Sequence, residues 1–240
     1  MSARTLGSLL TLLFWASVAS PCTIFNASQG DSVMLAGNNE DWFNHVGKIT
    51  VYAPNETRFG MMFWGVQFEE RMGGINDQGL FYDWNSVFYD VELEIDPNKP
   101  YLPANFEYQI LSTCATVDEA LDYLDNYNLT FYGTAQMHIA DATGASAIVE
   151  GDSVIVKEGY YQISTNFYQS FEPDPCGTHP DIYWRYCTAD SILAENEGNI
   201  TVDLMRDICD ATSQTVFNAI APTVYSTVAD LKNNIVSVYY

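Results

Sequence analysis

The sequence predicts an α+β fold built on antiparallel sheet. Three observations carry that prediction. Short apolar runs bounded by turn residues fill the first part of the chain. Helical periodicity with a capping signal follows in the middle. The order is then strands, helices, strands, helices, strands, in blocks rather than in alternation. A parallel doubly wound sheet needs the alternation that is missing here.

The elements read as follows. "CTIFNAS" and "SVMLAGN" are two short strands across the turn Gln29-Gly30-Asp31. "KITVYAP" and "RFGMMFWGVQFEE" are further strands, broken by Pro54-Asn55. "GGINDQG" reads as a glycine-rich turn leading into the strand "LFYDWN". Prolines 97, 100 and 103 punctuate a loop. "NFEYQILSTCA" then reads as a helix, with Phe106, Ile110 and Leu111 on its apolar side. Thr116 and Glu119 form a capping box that starts the next helix, "VDEALDYLDNYN". "AQMHIAD", "SAIVEG", "SVIVKEG" and "YYQISTN" are strands, with turns at Gly144 and Gly151-Asp152. Helices follow around "IYWRYCTADSILAE" and "VDLMRDICDATSQ". "TVYSTVADL" and "NIVSVYY" close the chain as a hairpin across Lys232-Asn233-Asn234.

A chain of 240 residues suits one domain with one sizeable core. Its formal net charge of −22 argues against nucleic acid or an anionic membrane surface as partner, since both need Lys/Arg patches. The acids are spread along the chain, as on a solvated acidic surface. Residues 1–21 read as a signal peptide and a short propeptide, and 22–240 as the single domain. Arg4 begins the signal, Leu6 to Val18 form an apolar stretch too short to span a bilayer, and Ser17, Ala19 and Ser20 are small. Four Asn-x-Ser/Thr sequons begin at Asn26, Asn55, Asn128 and Asn199 and fit a secreted or lumenal protein. A glycan on Asn26 would crowd Cys22, so that sequon is expected to stay bare.

Five cysteines leave at least one thiol over in an oxidising compartment. By position the leftover is Cys22, the residue at which the mature chain is expected to begin. An N-terminal cysteine carries a nucleophile and a base in one residue: the thiol attacks, and the α-amine, with a pKa near about 8, takes its proton. Signal peptidase needs a small residue before its cut, so Pro21 points instead to cleavage after Ala19 or Ser20. Cys22 would then remove the remainder by attacking the preceding carbonyl. A lipoprotein anchor at Cys22 fits poorly, because Pro21 stands where a small residue is required. No two histidines stand at ligand spacing and no Cys-x-x-Cys occurs, so no metal or other cofactor is expected. His138 is placed to face the core or the site, while His45 and His179 fall in loops.

"CTIF", "GNNEDW" with Asp41 nineteen residues after Cys22, "GGINDQGLFYDWN", "STNF" and "WRYCTADSIL" occur in an order that resembles the choloylglycine hydrolase family of N-terminal-nucleophile hydrolases. The resemblance runs from Cys22 to the C-terminus. It implies an αββα sandwich of two antiparallel sheets flanked by helices. It also implies hydrolysis of a linear, non-peptide C–N amide bond in a small-molecule substrate through a thioester. Carried onto this chain, it makes Cys22 the nucleophile, Asp41 the partner of its amine, and Asn166 an oxyanion donor. Asn85 is the second donor, with Ser86 as rival, and Arg185 organises charge around the nucleophile. Many members have an arginine three residues before the aspartate; here that position is Asn38, which adds no charge. Phe63, Trp64, Phe81 and Trp84 are candidates to line an apolar acyl pocket. An acyltransferase on the same site, or a secreted binding glycoprotein without turnover, stays open, as does a homo-oligomer. Cys176–Cys187 with Cys114–Cys209 is the simplest of three pairings for the remaining cysteines.

Overall fold

The computed structural model describes residues 22–43, 46–87, 91–129, 133–215 and 221–240. The leader and His45 lie outside the described residues. Two antiparallel sheets stack face to face, with helices on both outer faces. The first sheet has five strands, built from β1 (Thr23–Gln29), β2 (Val33–Asp41), β10 (Tyr161–Ser164), β11 (Thr223–Asp230) and β12 (Ile235–Tyr239), in the order β10-β1-β2-β11-β12. The second has seven strands that follow the chain: β3 (Gly47–Tyr52), β4 (Met61–Val66), β5 (Glu69–Asn76), β6 (Phe81–Ser86), β7 (Ala135–Ala140), β8 (Ser146–Glu150) and β9 (Ser153–Val156). This is the expected αββα sandwich.

Three apolar clusters hold the layers together. Between the sheets lie Ile24, Ala36, Trp64, Ile75, Phe81, Tyr225 and Ala229. Helices α1 (Phe106–Thr113) and α2 (Val117–Leu124) cover the seven-stranded sheet through Ile110, Leu111 and Leu124 on Phe63, Tyr82 and Met137. Helices α4 (Trp184–Glu195) and α5 (Val202–Thr212) cover the five-stranded sheet through Leu193, Met205 and Ile208 on Phe25 and Leu35. A short helix, α3 (Pro175–Thr178), precedes α4. β2 is buried along nearly its whole length because it has a sheet neighbour on each edge and a packed layer on each face.

Local signals set several boundaries as expected. Thr116 caps α2, its hydroxyl accepting from Glu119 N at 3.2 Å. The β1–β2 hairpin forms with Thr23 paired to Asn39 and Gln29 to Val33. Two expectations fail. The run 58–70 is not one strand: β4 turns at Gln67-Phe68 and returns as β5. Gly65 permits the tight return, since a Cβ there would collide with the Glu69 carbonyl. "GGINDQG" is not all turn either. Gly73 and Gly74 lie inside β5, and the turn is Asp77-Gln78-Gly79. Gly73 is demanded by packing, because a Cβ there would overlap Trp64 Nε1 and Asp83 Oδ2.

Cys176 and Cys187 form a disulfide, joining α3 to the first turns of α4. The Cys114–Cys209 pairing is wrong. Cys114 is buried against α1 and α2, Cys209 under α5 on the opposite outer face, and both are free thiols. Two sheets separate them, far beyond the reach of a disulfide.

Candidate active site

Cys22 stands at the start of β1, 2 % exposed. The expected site residues reach it from four directions. Asn85, near the end of β6, donates its amide to Cys22 O at 3.1 Å. Arg185, in the first turn of α4, donates from Nη1 to Cys22 O at 2.7 Å and to Thr23 Oγ1 at 3.0 Å. Its Nη2 donates to Asn166 Oδ1 at 2.6 Å. Asn166 follows β10 and donates to Ser86 O at 2.6 Å. Asp41 ends β2, with Arg185 Nη1 3.8 Å from its Oδ2. Gln214 donates to the same Oδ2 at 2.7 Å, and Thr223 Oγ1 donates to Oδ1. Between Asn85 and Ser86, Asn85 is the residue whose side chain meets Cys22.

Strand parity explains this geometry. Side chains alternate along a strand, so Cys22, Ile24 and Asn26 face the second sheet while Thr23 and Phe25 face the helices. On β2, Asn38 and Glu40 share the Cys22 side, and Asn39 and Asp41 face the helices. The Asp41 carboxylate therefore turns to Arg185, Gln214 and Thr223, while its backbone N–H stays on the thiol.

Glu40 is the residue that the sequence reading missed. The Cys22 thiol donates to Glu40 Oε1 at 3.1 Å, and Glu40 is fully buried. Asp83, on β6, is fully buried too and accepts from Trp64 Nε1 at 2.9 Å and from Trp84 N at 2.8 Å. Antiparallel register would have found Glu40: if Thr23 pairs with Asn39, residue 22 lies opposite residue 40.

Burial controls the ionisation of the site. It pushes the Cys22 thiol well up, with the charges of Glu40 and Asp41 adding to it and the Asp41 backbone N–H opposing. Burial pushes Glu40 well above the usual carboxylate range, and the Asp83 charge adds. Asp83 rises to about 8, against the two N–H bonds that favour its charge. Asp41 rises to about 7, burial outweighing Arg185, Thr223 and Gln214. His138 is held neutral by burial, its pKa down to about 3, between Ser164 Oγ at 3.0 Å and Asn26 Oδ1 at 2.8 Å. It is a core histidine, bonded to other partners than the thiol. Among the described residues, no group of three or more His, Cys, Asp or Glu is placed to hold a metal ion.

A cavity of about 620 Å³ adjoins the site at Trp42 and Ser86, the chain neighbours of Asp41 and Asn85. Phe63 and Trp84 are on its wall. Trp64 and Phe81 are not; they are packed in the core between the sheets, where Trp64 anchors Asp83. The wall also carries Glu69, Glu70 and Glu107 against one cation, Arg71.

No family model and no curated protein matches the sequence. Solved structures do. Two variants of conjugated bile acid hydrolase from Clostridium perfringens superpose with TM-scores of 0.68 and 0.67, at 17 % and 16 % identity, over 91 % of this chain and 89 % of theirs. Penicillin V acylase from Agrobacterium tumefaciens superposes with a TM-score of 0.65 at 16 % identity, over 90 % of this chain and 82 % of that one. The two stacked antiparallel sheets between helix layers are therefore the fold that this chain shares with the conjugated bile acid hydrolase and the penicillin V acylase.

Proposed function

We propose that the chain is a secreted amidase that cleaves a linear, non-peptide C–N amide bond, with Cys22 as N-terminal nucleophile. The observation that carries this reading is a convergence. Asn85 and Arg185 both donate to Cys22 O, and Arg185 also bonds Asn166 and stands beside Asp41. Strand β6 and helix α4 thus each deliver a donor to one buried cysteine, and Arg185 links Asn166 and Asp41 to the same point. The likeness in fold to a conjugated bile acid hydrolase and a penicillin V acylase supports amide hydrolysis as the reaction class.

The chemistry follows from the residues. Removal of residues 1–21 frees the Cys22 nitrogen, and residues 22–240 act as one domain. The amine takes the thiol proton, and Asp41, linked to Cys22 through Arg185, balances the ammonium. The sulfur attacks the amide carbonyl and a C–S bond forms. Asn166 and Asn85 turn their N–H groups to the developing oxyanion. The ammonium returns its proton to the leaving nitrogen, the C–N bond breaks and the amine departs. Water then cleaves the thioester, releasing the acid and restoring the thiol. The aromatic wall of the cavity suits an apolar acyl group, and its acids, offset by Arg71 and by Lys48 on Glu70, give a mild preference for a neutral or cationic substrate over an anionic one.

The test is intact mass and amino-terminal sequencing of the secreted protein, then a panel of acyl amides. The expected result is a mature chain beginning at Cys22, with turnover abolished in Cys22→Ala. Folded, secreted protein that keeps the Pro21–Cys22 bond overturns the reading.

A further inference from the structure

Cys22 Sγ and Glu40 Oε1 are 3.1 Å apart, both side chains buried. The geometry points to Glu40, in its protonated form, as the hydrogen-bond donor that steadies the Cys22 thiolate. This rests on reading Cys22 as the nucleophile. It assigns a catalytic contact to a carboxyl group where acids ordinarily suppress thiol ionisation.

The groups facing Glu40 decide its charge. Cys22 approaches from β1, Asp83 from β6 and Tyr225 from β11, where it is the cross-strand partner of Glu40. Asp41 is the next residue on β2. Tyr225 leans toward Glu40 closely enough to favour its charge, short of hydrogen-bond geometry. Among the described residues no cation forms an ion pair with Glu40 or Asp83; Arg185 pairs with Asp41 on the other face of β2. Two buried carboxyls and a thiol, with the Cys22 ammonium as the one cation beside them, cannot all lose their protons. The first group to hold its proton is the one with the fewest donors. Asp83 accepts two N–H bonds, whereas Glu40 accepts one geometric bond, from the weak thiol donor, with the Tyr225 hydroxyl nearby but unbonded. Glu40 is thus the carboxyl that stays neutral.

A neutral carboxyl accepts from the thiol through one oxygen and donates to the thiolate through the other. Glu40 Oε2 is buried and makes no hydrogen bond. The half-turn about χ3 that swaps the two oxygens therefore breaks no bond at Oε2. In the attack step the thiol proton goes to the Cys22 amine, the carboxyl turns, and its O–H points at the sulfur. The proton of Glu40 stays on Glu40, so the step balances. Asn38, two residues earlier on the same face, brings no positive charge to this task; a neutral O–H donor supplies the stabilisation instead.

The experiment reads Cys22 alone. Mature wild-type, Glu40→Gln and Glu40→Leu proteins are alkylated with iodoacetamide at neutral pH, and the rate is followed on the Cys22 peptide by mass spectrometry. Gln retains a neutral donor; Leu retains none. The expected result is a Glu40→Gln rate within about threefold of wild type and a Glu40→Leu rate about tenfold lower, the size of one hydrogen bond. Three results overturn the proposal. If Gln is as slow as Leu, the carboxylate acts as a base. If both variants match wild type, the contact is idle. If both are faster, Glu40 suppresses the thiol. Infrared spectra of wild-type protein before and after alkylation of Cys22 cover the case of a misfolded variant. The protonated-carboxyl band that persists in Asp83→Asn and Asp41→Asn proteins must shift on alkylation, and its absence equally sinks the idea. Neither readout uses an amide substrate. Loss of the amidase reading would appear separately, as turnover that survives Cys22→Ala.

Discussion

Arg185 Nη1 donates to Cys22 O at 2.7 Å, which ties helix α4 to the first residue of the sheet. The same guanidinium reaches Asn166 through Nη2 and lies 3.8 Å from Asp41. A planar fork serves these partners together, and an ammonium cannot. Arg185→Lys is expected to lower kcat/KM by about a hundredfold, near 2.7 kcal/mol of transition-state stabilisation. Steady-state kinetics check this, with circular dichroism to show that the fold is kept.

The disulfide has a functional consequence through the same helix. Cys187 lies two residues beyond Arg185, and its bridge to Cys176 closes a separation of 11 residues. Closing a loop of that length stabilises by about 3 kcal/mol. The Cys176→Ser/Cys187→Ser double variant is expected to melt at a lower temperature and to lose activity. A Cys114→Ser variant, which breaks no bridge, should move Tm far less. Thermal melts of the two side by side decide it.

Stability should fall as pH rises. Asp41 and Asp83 have folded-state values raised to about 7 and about 8, and Glu40 is raised as well. Above the unfolded carboxylate range the native state holds protons that the unfolded chain has released. The stabilisation is complete below about pH 4 and is lost as pH climbs through the folded values. Each such group contributes a slope of about 1.4 kcal/mol per pH unit in that window. Urea titrations between pH 5 and 8.5 should show the decline, and Asp83→Asn should flatten it. General repulsion among the 31 acidic residues has the same sign, so the difference between wild type and variant is the quantity to read.

Gly73→Ala should destabilise by about 1–3 kcal/mol, because the new methyl group must displace the Trp64 ring or the Asp83 carboxyl. Chemical denaturation measures the loss. A change in tryptophan fluorescence of the native state would report the displaced ring.

Glycans should sit on Asn55 and Asn199, which are exposed. Asn26 and Asn128 are 3 % and 5 % exposed and spend their side chains on His138 and on the carbonyls of Asp96 and Lys99. Glycopeptide mass spectrometry of secreted protein tests all four sequons.

Much of the architecture was legible because its signals are local. Thr116 announces a helix start, and Gly30 a hairpin turn with φ 53°. The β4–β5 turn was illegible because Gln67-Phe68 carries no turn chemistry; only the approach of Glu69 to Gly65 explains it. Gly73 misled for the complementary reason, as its small size serves a contact with Asp83 ten residues away. In the candidate site, Cys22 was legible from its place after the leader, whereas Asp41, Asn85, Asn166 and Arg185 came from the family resemblance, because no local signal sets them apart. Glu40 was hidden beside Asp41, and only the pairing of β1 with β2 turns it toward the sulfur. Trp64 and Phe81 looked like pocket residues because aromatic character alone does not say which face of a strand a side chain takes.

Cys22 and Glu40 hang from one hairpin, whereas Asn85, Asn166 and Arg185 arrive from distant parts of the sequence. Hairpins close in microseconds, while long-range strand and helix docking is slower. A nascent chain therefore brings sulfur and carboxyl together early, with nothing yet in place to stabilise a tetrahedral adduct. If Cys22 is the proposed nucleophile, a half-folded chain lacks the donors that acylation requires until those distant elements dock.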